Sequence, residues 1–104
     1  MSGAANPVRG EAALQVAGTA LVLRPSFTAL VAAEAELGPL FALVERAASG
    51  RLGLGETVAL FWHCLKVVPE GLTREAFAES VAEAGLAAAT PALKTLLGQI
   101  LGGR

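Results

Sequence analysis

The sequence predicts a mainly α, α+β fold: an N-terminal β-hairpin followed by a compact bundle of about five short helices. Three observations carry this expectation. Residues 11–24 alternate apolar and polar or small side chains around Gly18, the two-residue period of strands. From Ser26 onward apolar residues recur at three- and four-residue spacing, the period of amphipathic helices. Glycine and proline then punctuate that pattern at Gly38-Pro39, Gly50, Pro69 with Gly71, Gly85 and Thr90-Pro91.

Residues 1–6 are small and polar and read as a flexible start, with residues 7–104 as one domain. In the first strand, Glu11 to Val16, the residues Ala12, Leu14 and Val16 share one face, and Glu11, Ala13 and Gln15 the other. The second strand, Ala20 to Arg24, sets Leu21 and Leu23 against Ala20, Val22 and Arg24. Ala17-Gly18-Thr19 fits a three-residue loop with Gly18 at positive φ. A lone hairpin is marginal in water, so it must lie on the helices or on another chain.

Ser26 is placed to cap the first helix, whose stripe is Phe27, Leu30, Val31, Glu34 and Leu37, and Gly38 to end it. Pro39 to Ser49 forms a second helix with Leu40, Leu43, Val44 and Ala47 on one face. Arg51 to Gly55 is a glycine-rich link. The third helix, Glu56 to Val67, is apolar nearly all round and belongs in the middle of a core. Thr73 caps a fourth helix, Arg74 to Ala84, built on Phe77, Val81 and Ala84. Thr90-Pro91 opens a last helix that ends near Leu101, before Gly102-Gly103.

Composition narrows the function classes. Apolar residues make up 54% of the 104-residue chain, and neither Asp nor Tyr occurs. The net charge is −1, and the eight basic residues are scattered singly rather than gathered into a patch for nucleic acid. The uncharged runs fall short of the ~18 apolar residues that a membrane span needs, and Glu11 interrupts any signal-peptide pattern. The single cysteine, Cys64, closes no disulfide within the chain and suits a reducing cytoplasm.

Candidate chemistry is sparse. His63 and Cys64 are adjacent, but helix neighbours point about 100° apart, no Asp is present to orient the imidazole, and no second His or Cys is available for zinc. Gly50 to Gly55 follows a helix rather than a strand and lacks the Gly-Lys-Ser/Thr ending of a phosphate loop. No catalytic, cofactor or metal site is therefore expected. Two surfaces remain as sites for a partner. Glu75, Glu79 and Glu83 line one face of the fourth helix, as a solvated face or as an acidic stripe for a basic segment. Leu93, Leu96, Leu97, Ile100 and Leu101 form a stripe on the last helix. Five such side chains left in water would forfeit ~8–15 kcal/mol, as much as a whole domain's stability. The stripe must be covered, either by this domain's own core or by a partner's groove.

Taken together, Arg9-Gly10-Glu11, Gly18, Leu23-Arg24, Phe27, Ala29-Leu30, Glu34, Leu37-Gly38, Leu60-Phe61-Trp62 and Glu83-Ala84-Gly85-Leu86 have an order and spacing that resemble the gene-transfer-agent family of small phage-type tail assembly proteins. The resemblance runs from Asn6 to Leu101 and departs from the family pattern at Ala20 and His63. It implies a non-enzymatic tail assembly chaperone in the cytoplasm of a bacterial host. Such a chaperone binds the tape-measure protein, assists assembly of the tail-tube protein around it, and can form homo-oligomers. It also leaves open a structural tail component that self-associates through its hairpin edge.

Overall fold

The computed structural model describes residues 10–16 and 18–102, so the expectations for residues 1–6, Arg9, Ala17 and Gly103 lie outside the described residues. Two strands, β1 (Ala12–Val16) and β2 (Thr19–Leu23), precede five helices: α1 (Phe27–Leu37), α2 (Leu40–Ala48), α3 (Leu54–Cys64), α4 (Arg74–Ala84) and α5 (Leu86–Gly102). The mainly helical α+β architecture expected from the pattern is the one found.

The strands pair antiparallel, with Ala12 opposite Leu23, Leu14 opposite Leu21 and Val16 opposite Thr19. Thr19 thus belongs to β2 rather than to the loop, and β2 ends one residue earlier than expected. Alternation works as anticipated: Ala12, Leu14, Val16, Leu21 and Leu23 are buried, while Ala13, Gln15 and Ala20 are exposed. That apolar face lies on α5 and α4. Glu11 is a correction. It precedes the strand and is only 2% exposed, with its carboxylate 3.4 Å from Lys66 Nζ. Before it, Gly10 adopts φ +74, and a Cβ there would sit 2.4 Å from the side chain of Gln99 on α5. The backbone angle calls for glycine, and any side chain there would displace that of Gln99.

Ser26 Oγ accepts the Ala29 N–H at 3.2 Å and starts α1, and Gly38 (φ 87) ends it. The stripe of α1 differs from expectation. Ala33 is buried, with Ala29, Leu30 and Leu37 packed beside it, whereas Phe27 and Val31 are exposed. The small Ala33 lets α1 lie close against α3, which tips the larger pair outward. Across Gly38-Pro39 the chain bends 75° into α2, whose first amide, Leu40 N–H, donates to Glu34 Oε2 at 3.1 Å. As expected, α2 turns Leu43 inward, with Leu40 packed against the core.

α3 is the central element, with Thr57, Val58, Ala59, Leu60, Phe61 and Cys64 buried. It begins at Leu54 rather than Glu56, because the Glu56 carboxylate accepts the Gly53 N–H at 3.0 Å and pairs with Arg46. It ends at Cys64 rather than Val67. The next residues extend and join the sheet: Arg24 N–H donates to Cys64 O at 2.6 Å, and Lys66 N–H to Val22 O at 2.9 Å. Lys66 N–H and Cys64 O thus find partners on β2 in place of helical ones, while Leu65 N–H closes the helix on Trp62 O at 3.3 Å.

Thr73 caps α4 by accepting the Ala76 N–H at 3.1 Å, and Phe77 and Val81 fill the core, but Ala84 is exposed. Trp62 tilts over Phe77 with ring centroids 5.7 Å apart. Gly85 alone separates α4 from α5, which starts at Leu86 and runs through Pro91 instead of beginning there. Proline in the second turn removes one N–H, that facing the Ala87 carbonyl, while buried Ala89 and Ala92 hold the helix on either side. Among the described residues no single helix is long and apolar enough to cross a membrane.

Leu96 is wholly buried and Leu101 is 57% exposed, so truncation separates the two ends of the stripe. Leu96→Ala should lower the unfolding free energy by ~2–5 kcal/mol. Leu101→Ala should change it by no more than ~0.5 kcal/mol. Urea melts with an unchanged m-value check both.

Candidate functional site

The hairpin has two outer edges, and the fold treats them differently. In an antiparallel ladder, opposed pairs alternate between exchanging both backbone bonds and pointing their N–H and C=O groups outward. Val22 O receives Lys66 N–H on the far side of β2, so Val22 faces away from β1. Its partner Ala13 therefore turns its own N–H and C=O to the opposite edge, and Gln15, paired with Ala20, does the same two residues on. The Val22–Arg24 part of the β2 edge is covered by Cys64–Lys66. Among the described residues no backbone group bonds to the outer edge of β1, where the side chains of Ala13 and Gln15 are also exposed. Alternation marked the outward residues in the sequence. Which edge stays open follows only from where α3 ends.

The two residues considered as a nucleophile and base diverge. Cys64 is buried, and desolvation pushes its thiol up to about 12. The imidazole of His63 leaves the core, with Nε2 2.8 Å from Glu36 Oε1 on α1. The other Glu36 oxygen accepts from Arg74 on α4. One carboxylate so ties α1 to α3 and α4, an arrangement that sequence spacing does not show. The Arg74 guanidinium first, and His63 second, hold the Glu36 carboxyl down to about 2.

The expected partner surfaces are placed as follows. Glu75, Glu79 and Glu83 lie exposed along α4, and among the described residues none forms an ion pair. On α5 the stripe divides. Leu96 is core and Leu93 packs against the core, while Leu97 and Ile100 are half-buried and Leu101 is exposed. The acidic and apolar rows are thus surface features of consecutive helices, with the middle of the apolar row spent inside the domain. A cleft of about 290 Å³ opens at the hairpin tip, between β2, the α3–α4 connection and α4. Sequence reasoning missed this cleft, because its walls come from three separated segments.

These features define a small α+β domain with a hairpin laid on five helices and one strand edge left open. The particular family is shown by comparison. The family model described as "Phage tail tube protein, GTA-gp10" matches residues 9–103, and the chain belongs to that family. No curated protein and no solved structure matches the chain. The gene-transfer-agent and phage-tail affiliation implied by the residues is therefore shown.

The Glu36 cluster yields a pH signature. A carboxyl whose folded pKa is lowered stabilises the fold at pH values above its ordinary 4.5 and loses that contribution as pH falls toward about 2. Glu36→Gln should be less stable than the parent at pH 7. The gap should narrow below pH 4.5 and close near pH 2. It should also shrink with added salt, because the group is part-exposed. Thermal melts of both proteins across that range measure it.

Proposed function

We propose that this chain is a non-enzymatic structural component of a phage-like tail tube, and that its copies associate through the open edge of β1. The supporting observation is the exposed run of outward backbone groups at Ala13 and Gln15, in a chain of the tail-tube family. An unpaired edge is a template for a second strand, and proteins that work as monomers blunt such edges. Here no charged residue or proline interrupts Ala12 to Val16. Pairing of β1 with β1 of a second copy would exchange the outward N–H and C=O groups across a two-fold axis.

A second reading is favoured by one end of α5. Leu97, Ile100 and Leu101 leave apolar surface outside the core, and the preceding helix carries the acidic row. A tail assembly chaperone could lay an apolar helix of the tape-measure protein there and carry it to the tail-tube protein in the cytoplasm of the host. The tube reading takes precedence because the family's description is of a tube protein.

Proline separates the edge from the ladder. Gln15→Pro removes an N–H that points away from β2, so the fold should survive, whereas Leu14→Pro removes a ladder bond and should not. In sedimentation velocity the parent should associate as concentration rises, and Gln15→Pro should lose the edge-paired part of that association while melting close to the parent. Unchanged association in Gln15→Pro contradicts the edge. A monomeric parent that co-purifies with a tape-measure fragment, and loses it on Leu97→Glu, favours the chaperone reading instead.

A further inference from the structure

The β1 edge can be used only once per copy, so two-fold pairing stops at a dimer. Extension needs a contact between two different surfaces, and the molecule carries a matched pair. The first is Phe27, at the start of α1 and 83% exposed, with Val31 one turn further along the same face. The second is the cleft at the hairpin tip, lined by Val16, Leu21, Leu72 and Phe77. We infer that the cleft receives Phe27 of a second copy, so that copies join head to tail. This rests on the self-association reading given above.

Size, position and charge support the match. The cleft holds about 290 Å³. A cavity of about 150 Å³ already accommodates a benzene ring. The cleft adjoins Thr19 and Leu21, whereas Phe27 follows the other end of β2, across Arg24, Pro25 and Ser26. The four steps of strand from Thr19 to Leu23 span ~13 Å, so the two features lie apart on the molecule. A knob and a socket on separate surfaces give a heterologous contact, which leaves a free knob and a free socket on every complex. Charge agrees as well. Exposed Arg24 stands three residues before Phe27, and exposed Glu70 lines the cleft. Neither side chain takes part in an ion pair among the described residues. Docking would bring Arg24 of one copy to Glu70 of the next, placing opposite charges at the rim of an aromatic anchor.

Sedimentation velocity with five single variants and one double variant tests the assignment. Phe27→Glu removes the knob, and Ser80→Trp fills the cleft from its wall on α4. Each should weaken association beyond the dimer by about tenfold or more. An equimolar mixture of the two should extend again, because the intact Phe27 of one variant meets the intact cleft of the other. Where Ser80→Trp perturbs folding, charge exchange serves in its place. Arg24→Glu and Glu70→Lys should each impair extension, and the double variant should regain it. If the parent extends but Phe27→Glu extends equally well, or if neither the mixture nor the double variant regains extension, the knob-and-cleft contact is wrong. A tape-measure helix as the true occupant would give the first of these failures. Gln15→Pro separates the two contacts: it should abolish edge pairing and leave the head-to-tail species in place. A parent that remains monomeric at every concentration removes both this contact and the reading on which it rests.

Discussion

Two backbone hydrogen bonds, Arg24 N–H to Cys64 O and Lys66 N–H to Val22 O, set the plan of this domain. They end α3 at Cys64 and hold Leu65 in a single antiparallel bridge opposite Leu23. They fix the hairpin to the central helix, so that its apolar face lies against α4 and α5. They also decide which strand edge is covered. The Val22–Arg24 side is occupied from within the chain, and the Ala13 and Gln15 groups are turned the other way by the antiparallel register. Lys66, carried in by the same segment, brings its ammonium group to the buried Glu11 carboxylate. Edge, core and buried charge therefore share one origin.

The helices around that junction are held by packing first and charge second. Leu23, Leu43, Leu60, Phe61, Phe77 and Leu96 are wholly buried and come from five elements, β2 and α2 to α5, so one core joins the hairpin to the helices. Ion pairs then join the helix surfaces. Arg46 of α2 meets Glu56 of α3, and Glu36 of α1 meets both His63 of α3 and Arg74 of α4. Exposed pairs of this kind contribute little singly, ~0.2–1 kcal/mol. What the core leaves outside, Phe27 above all, is available for contacts between copies.

Much of the fold was legible because it is local. Strand alternation, the Ser26 and Thr73 caps, and the Gly38 and Gly85 stops each depend on residues within a few positions. The departures arise where tertiary contacts override local signals. Two stripes compete on α1, Phe27 with Val31 and Leu30 with Ala33 and Leu37. The periodicity joined both in one stripe and passed over Ala33, but close approach to α3 needs that small residue. Lys66 and Val67 continue a helical pattern that pairing with β2 interrupts. Pro91 reads as a start but is tolerated inside α5. Of the expected partner residues, Glu75, Glu79 and Glu83 were legible as a row because i, i+4 spacing fixes it. The division of Leu93, Leu96, Leu97 and Ile100 between core and surface depends on where β1 docks on α5. The open edge, the Glu36 cluster and the cleft each join segments far apart in sequence, and no single window shows them.

Residue-resolved amide hydrogen exchange across a concentration series tests the central claim most directly. In dilute protein the Arg24 and Lys66 amides should be protected, and the Ala13 and Gln15 amides should exchange fast. As copies associate, Ala13 and Gln15 should become protected, with Arg24 and Lys66 unchanged. Protection of Ala13 and Gln15 already in the dilute monomer, or fast exchange that persists in the associated state, would contradict the account.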